Sequence, residues 1–243
     1  MSRSTKLILD ILLGAVVPIL VLSYLTDTLG AVPTYLLAAL IPVGWVFVDL
    51  FFVTRRLNFI TGFLGLNAMV RGLLAFWFVD GLLYALKDTA GSVIVVLVFG
   101  GSLLVGHPVV RAFAAQSLDP RTPAQESALE KLFRERPVAR AMVWGTVLLA
   151  VVNAATGVAN FLLNLRIVTA PFGTETFNTQ VAQVNAITRI ALGIPEFATW
   201  GVALSLVYYA IYTRLPQAPG KHDFWDRIEL REARTVNNPN PET

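Results

Sequence analysis

Charged residues inside apolar segments are the part of this sequence that could do chemistry. The stretch from Asn67 to Asp88 places Arg71, Asp80 and Lys87 within or beside two consecutive hydrophobic segments. A charge near the centre of a bilayer costs roughly 2.5 to 3.5 kcal/mol on insertion scales, so such a side chain usually faces a protein interior, a water-filled cavity or a partner. These three residues, together with Asn67 and Asp88 at the ends of the stretch, are therefore candidates for a solute or ion pathway.

Arg71 gives the sharpest expectation, because it lies about 13 residues into its apolar segment and so near mid-bilayer. Its depth requires a counter-charge or water, and we predict an ion pair with Glu196, with Asp88 as the alternative nearer in sequence. Arg189 and Glu196 are seven residues apart and share one face of a continuous helix. Pro195 can expose backbone carbonyls beside them, so Arg189 and Glu196 join the pathway candidates.

Some of these candidates also have a simpler interpretation. Asp80, Lys87 and Asp88 are expected near the outer interface, at and beside a tight turn formed by residues 80–87, where an exposed ion pair contributes about 0 to 1 kcal/mol. Asn153 is a further candidate, although an asparagine inside a span usually hydrogen-bonds to a neighbouring helix for about 1 kcal/mol. Both interpretations stay open at this point.

Signatures of enzymes are missing from the sequence. His107 and His222 are the two histidines, and neither belongs to an HExxH motif or to a carboxylate cluster that would complete a metal site. No GxSxG element or glycine-rich nucleotide loop occurs, and the absence of cysteine removes thiolate chemistry. We therefore expect no catalytic residue, no metal and no cofactor.

The composition predicts an all-α, polytopic membrane protein. Of the 243 residues, 55% are hydrophobic and 14% are charged, whereas about a quarter of residues in a soluble domain are charged. The length allows six helices of about 20 residues joined by short loops. We place these spans at residues 7–25, 33–53, 58–79, 88–106, 137–165 and in the second part of 181–215.

Local signals refine this bundle of six transmembrane helices. Pro18, Pro42 and Pro195 predict kinks, and Asp10 and Asp49 are interpreted as boundary residues at the cytoplasmic ends of the first two spans. Small residues predict close helix packing in spans three, four and five; they include Gly62, Gly65, Gly72, Gly91, Gly100, Gly101 and Gly157. The sequence leaves open whether residues 176–190 span, re-enter or lie on the membrane.

The distribution of basic residues predicts the orientation. Cytoplasmic loops are enriched in lysine and arginine, and of the 19 such residues only Arg71, Lys87, Arg166 and Arg189 fall outside the segments that six spans place on one side. Both termini are therefore expected in the cytoplasm. The six-span domain covers residues 1–215, with a cytoplasmic segment at 107–140, and a polar cytoplasmic tail follows at 216–243.

Two polar segments should carry short surface helices. Thr122, Pro123 and Gln125 form a capping-box pattern before the helical sequence ALEKLF, in which Glu130 and Arg134 are placed as an i,i+4 pair. In the tail, HDFWDRIELREAR has the pattern of an amphipathic surface helix, and disorder is the alternative.

Four short sequences carry a family resemblance: LILDILLGAVVPILV in the first span, RRLNFITGFLG entering the third, GHPVVRAF leaving the fourth and RPVARAMVWGTVLL opening the fifth. Through them, residues 6 to 213 resemble a poorly characterised bacterial six-span family that is distantly similar to intracellular septation protein A. The resemblance implies an inner-membrane protein associated with envelope integrity and division. It assigns no catalytic or binding residue.

The sequence leaves three classes of function open, of which the first two are favoured. The first is a non-enzymatic inner-membrane protein that binds or moves a small polar or amphipathic solute, which the charges in spans three and six favour. The alternative is a scaffold that acts through envelope or division proteins, which the resemblance favours, and the third is a lipid-modifying enzyme. The bilayer is the expected partner in each case and nucleic acid in none, while the oligomeric state stays open.

Overall fold

The computed structural model describes residues 3–55, 59–216 and 223–237, and every element within these ranges is helical. The α-helices are α1 (Arg3–Ile11), α2 (Val17–Tyr24), α3 (Thr26–Leu29), α4 (Ala31–Val48), α5 (Phe59–Ala75), α6 (Gly81–Leu104), α7 (Val109–Leu118), α8 (Pro123–Phe133), α9 (Arg136–Ile167), α10 (Glu175–Ala191), α11 (Gly193–Tyr212) and α12 (Phe224–Asn237). Two π-helical segments, Leu12–Val16 and Asp49–Thr54, precede α2 and follow α4. The all-α prediction is confirmed.

The membrane character of the chain is also confirmed at a coarse level. Among the described residues, four helical segments are long and apolar enough to cross a bilayer: Ala31–Val53, Gly81–Leu104, Arg136–Ile167 and Glu175–Tyr212. A shorter apolar helix covers Ile8–Tyr24. Large apolar side chains such as Leu73 and Leu97 are 68% and 67% exposed, which suits a surface covered by lipid.

Two of the three prolines expected to disturb helices lie next to an interruption. The π-helical segment Leu12–Val16 ends just before Pro18, and α10 and α11 are separated at Leu192, just before Pro195. A proline lacks the N–H that bonds to the carbonyl four residues earlier, so the disturbance falls upstream of it. Pro42 lies inside α4, which continues to Val48.

The hairpin between α5 and α6 lies earlier than the sequence predicted. The non-helical residues are 76–80, and α6 begins at Gly81 with a φ of +53°. Lys87 and Asp88 therefore lie well inside α6, and only Asp80 belongs to the turn. The expectation was wrong because it allotted about 20 residues to each span, whereas α5 has 17 residues and α6 has 24.

The chain forms two compact units. Unit 1 comprises Met1–Val98 with Ala150–Ala198, and unit 2 comprises Phe99–Leu149 with Thr199–Thr243. The core of unit 1 is centred on Phe177 of α10, whose ring is completely buried and lies 5.0 Å from Tyr84, 5.2 Å from Phe172 and 5.9 Å from Tyr35. Helix α10 is thus held in unit 1 through one apolar face.

Unit 2 contains the polar helices α8 and α12. Thr122 caps α8 by accepting a hydrogen bond from the Gln125 amide at 3.2 Å, as the sequence predicted. Glu130 pairs with Arg111 rather than with Arg134, so that expected pair was wrong. Helix α12 packs against α8, and its ion pairs join Lys131 to Glu232 and Arg231 to Glu135.

The glycines differ in whether a neighbouring helix lies close enough to be blocked by a Cβ atom. A Cβ on Gly157 of α9 would lie 2.9 Å from the Cβ of Ser92, and one on Gly72 of α5 would lie 3.2 Å from Val43. These two positions confirm the expected close packing. Gly62, Gly100 and Gly101 have no atom within 4 Å of such a Cβ, so helix contact does not require glycine there.

Candidate functional site

A cavity of about 570 Å³ lies within unit 1. This volume is in the range of small-molecule sites in proteins, roughly 300 to 1,000 Å³. Five of the predicted pathway residues line it: Asn67, Arg71, Lys87, Asp88 and Arg189. The remaining wall consists mainly of apolar side chains from α2, the π-helical segments, α4 and α5.

Arg71 is positioned by its own helix and by one glycine of α6. Its Nε donates a hydrogen bond to the Asn67 Oδ1 at 3.0 Å, one turn earlier on α5. The Asn67 Nδ2 donates in turn to the Gly91 carbonyl at 3.4 Å, and a Cβ on Gly91 would overlap the guanidinium of Arg71. Gly91 therefore makes room for a charged side chain rather than for another backbone.

Arg189 is the second guanidinium at the cavity. It lies in the last turn of α10, lines the cavity and interacts electrostatically with Arg71, Asp88 and Glu196. Arg189 is exposed. Among the described residues, no hydrogen-bond acceptor reaches the Arg189 guanidinium, and only the Nε–H of Arg71 has one.

Lys87 is buried beside these arginines. Only 7% of the residue is exposed, and its ammonium group donates to the Trp77 carbonyl. The Nζ also lies 4.9 Å from the ring centroid of Tyr35 and 5.7 Å from that of Tyr84. Cation–π contacts of this kind contribute about 0.5 to 2 kcal/mol, most when water is excluded, so the rings and the carbonyl replace hydration.

Asp88 is held by two amides of α9. The Nδ2 atoms of Asn160 and Asn164 each donate to Asp88 Oδ2 at 2.9 Å. One turn earlier on α9, the Thr156 hydroxyl donates to the Oε1 of Glu196. Both carboxylates are thus bound by a polar stripe on α9 rather than by an arginine.

The predicted ion pair of Arg71 with Glu196 is absent from the structure, and so is its alternative with Asp88. Within the described ranges, neither carboxylate forms an ion pair with Arg71, since Thr156 bonds Glu196 while Asn160 and Asn164 bond Asp88. The expectation assumed that depth alone decides the partner. In the structure, the carboxylates accept hydrogen bonds from amide and hydroxyl groups of α9 instead. The Arg71 guanidinium lines the cavity.

Two further candidates lie away from the cavity lining. Asp80 accepts a hydrogen bond from the Phe172 amide at 3.1 Å and so fastens the α9–α10 connection to the α5–α6 turn. Asn153 is partly buried on α9, where its backbone carbonyl accepts from the Thr156 hydroxyl at 3.2 Å. The structure gives Asp80 a fastening role and gives neither residue a place at the cavity.

Two acidic side chains also line the cavity. Asp10 and Asp49, interpreted from the sequence as boundary residues, are among its lining residues. The Asp10 Oδ1 accepts a hydrogen bond from the Trp45 indole at 2.8 Å. Tyr35, which contacts Lys87, precedes Asp49 by 14 residues, or roughly 20 Å along a helix, so Lys87 and Asp49 are well separated.

Sequence reasoning missed several residues that shape this site. Asn160, Asn164, Tyr35 and Tyr84 were not among the predicted site residues, although the two asparagines bond to a neighbouring helix as asparagines inside a span usually do. The signal for the asparagines was a spacing of four, shared with Thr156, which aligns three polar side chains on one face of α9. No comparable signal marked the tyrosines.

Within the described part of the chain, no three histidine, cysteine or acidic side chains gather into a group that could hold a metal ion. Comparison of the whole chain with family models, with curated proteins and with solved structures gave no match.

Proposed function

We propose that this protein binds or moves a small polar or amphipathic solute in the cavity of unit 1. The observation that carries this proposal is the pair of guanidinium groups, Arg71 and Arg189, that face the cavity without a carboxylate partner among the described residues. Ionisable groups inside a membrane protein are costly and are usually retained for a pathway or a ligand. A scaffold that acts only through partner proteins would not require such a cavity.

The setting of this cavity is proposed to be the bacterial inner membrane. Six spans are formed by the α1–α2 segment, α4, α5, α6, α9 and α11, with both termini in the cytoplasm. The distribution of lysine and arginine supports this orientation. Reporters fused after Gln125 and Arg214 should report cytoplasm, and those after Thr28 and Phe172 should not; the reverse pattern would exclude this topology.

Water access to the cavity tests the proposal directly. The chain has no cysteine, so single cysteines can be introduced at Leu74, which lines the cavity, and at the adjacent Leu73, which is 68% exposed on the lipid side. In nanodiscs, a charged maleimide should label Leu74→Cys several times faster than Leu73→Cys. The neighbouring position on α5 is the matched control, because lipid excludes the charged reagent there.

The alternative function gives a different result in the same experiment. If both cysteines resist the reagent, the space is closed and dry, and a scaffold in envelope integrity or division becomes the better proposal. Capture of partner proteins from native membranes would then replace solute binding as the measurement.

A further inference from the structure

The two arginines at the cavity have no direct carboxylate partner among the described residues. The Asp88 carboxylate accepts hydrogen bonds from two asparagine amides, and the Lys87 ammonium contacts a carbonyl and two aromatic rings. Arg189 interacts electrostatically with Arg71, a like charge, and with Asp88 and Glu196, but no carboxylate in the described part of the chain lies at ion-pair distance from either guanidinium. An anionic group placed between Arg71 and Arg189 would therefore meet N–H donors that have no acceptor among the described residues.

We propose that the cavity binds an anionic amphiphile, whose carboxylate or phosphate lies between Arg71 and Arg189 and whose chain follows the apolar wall. This inference rests on the proposed function and names the class of solute. Guanidinium groups bind planar or tetrahedral oxyanions through paired N–H donors. An oxyanion between the two arginines would offset their mutual repulsion by forming an ion pair with each of them.

The apolar wall of the cavity explains why the ligand should carry a chain. From Ala38 to Val46, α4 presents Ala39, Pro42 and Val43 to the cavity, over roughly 12 Å at the rise of a helix. Free inorganic anions would leave this wall in contact with water. An alkyl chain covers it and gains about 25 cal/mol for each Å² of apolar surface removed from water.

Two carboxylates also line the cavity, those of Asp10 and Asp49, and they repel an additional anionic group. The head group of the ligand therefore belongs at Arg71 and Arg189. A molecule with one anionic head and one chain fits this lining better than a dianion with a group at each end.

Binding measurements on the full-length protein in nanodiscs, with empty nanodiscs as the reference for partitioning into lipid, test the inference. The probes are dodecanoate and dodecyl phosphate as anionic amphiphiles, dodecyltrimethylammonium and dodecyl maltoside as cationic and neutral ones, and acetate and inorganic phosphate as head groups alone. We expect saturable binding of the two anionic amphiphiles, weaker binding of the neutral one and no saturable binding of the cationic one. Acetate and phosphate should bind far more weakly than their dodecyl forms.

Three arginine variants assign the binding to the site. Arg71→Gln and Arg189→Gln should each weaken binding of dodecyl phosphate by about tenfold or more, because each removes a charge-assisted contact. Arg166→Gln is the control, since Arg166 is exposed at the end of α9 and does not line the cavity. Arg189→Gln should also keep its thermal stability, because no described residue bonds to this guanidinium.

The possible results distinguish a failure of the anionic-amphiphile inference from a failure of the proposed solute-binding function. Equal binding of cationic, neutral and anionic amphiphiles that is insensitive to both arginine variants would overturn the anionic specificity but leave a solute cavity. Inorganic phosphate binding as tightly as dodecyl phosphate would overturn the amphiphile and identify a free anion as the ligand. If no probe binds and the Leu74 cysteine is also unreactive, both proposals fail together.

Discussion

Basic side chains are treated differently in the two units of this protein. In unit 2, Arg111, Lys131 and Arg231 each pair with a carboxylate, Glu130, Glu232 or Glu135. In unit 1, Arg71 and Arg189 form no ion pair among the described residues, although Asp88 and Glu196 lie within electrostatic reach of Arg189. The carboxylates of unit 1 accept from amides and a hydroxyl instead.

The two units differ in the energetic cost of their charged side chains. Ion pairs that keep contact with solvent, such as Lys131–Glu232 of unit 2, contribute about 0 to 1 kcal/mol. An unpaired guanidinium at the depth expected for Arg71 is costly, so its retention indicates a ligand or water rather than fold stability. The charged side chains of unit 2 thus join its helices, whereas the two arginines of unit 1 line the proposed binding site.

The largest effect that separates the units is expected from Asp88→Ala. Asn160 and Asn164 lose a charged acceptor, and hydrogen bonds to charged groups contribute about 1.5 kcal/mol or more each, so the free energy of unfolding should fall by about 3 kcal/mol. Unfolding in mixed micelles with a rising fraction of dodecyl sulfate measures it. The control is Glu130→Ala in unit 2, whose carboxylate is 49% exposed and whose loss should cost at most about 1 kcal/mol. Equal losses would remove the contrast between the units.

A smaller effect is expected from a pair of glycines on α6. Gly91→Ala places a methyl group where the Arg71 guanidinium lies, so Arg71 must shift, and binding of dodecyl phosphate should weaken by about tenfold, or 1.4 kcal/mol. Gly101→Ala has open space around it and should leave binding unchanged, with a small gain in helix stability of up to about 1 kcal/mol. If the two variants bind alike, Arg71 does not hold the head group.

The smallest effect concerns the ion pair of unit 2. A double-mutant cycle with Arg111→Gln and Glu130→Gln should give a coupling energy of about 0.5 kcal/mol. At 1 M salt the screening length falls to about 3 Å, so the coupling should largely disappear. A coupling above about 2 kcal/mol that persists in high salt would show that unit 2 also stores strong charge interactions.

The sequence predicted the helices better than it predicted their partners. Long apolar runs fix where a helix must lie, and spans two, three and five agree with α4, α5 and α9 to within a few residues at most ends. The α5–α6 turn was misplaced because equal spans of about 20 residues were assumed, and the sequence does not show that α5 has 17 residues and α6 has 24. The bonds of Asp88 to residues 72 and 76 positions away depend on which face of α9 meets α6, and that is a property of packing.

For helix α12 in the tail, too, the sequence predicted the helix but not its packing partner. The amphipathic pattern of α12 predicts a helix with one apolar face, and the structure confirms the helix. Phe224 and Ile228 on that face are buried, and the ion pair of Lys131 with Glu232 adds a contact with α8. The sequence pointed instead to the membrane surface, because an amphipathic pattern does not say what covers its apolar face.

Helix α10 bears on how the chain is built into a membrane. It carries a polar or charged residue in nearly every turn, and its Asn178 amide donates to Thr26 and to the Ala31 carbonyl at 3.1 and 2.8 Å. Those acceptors lie 152 and 147 positions earlier in the chain. Because they leave the ribosome well before α10, we expect the polar face of α10 to meet its hydrogen-bond acceptors already inserted in the membrane.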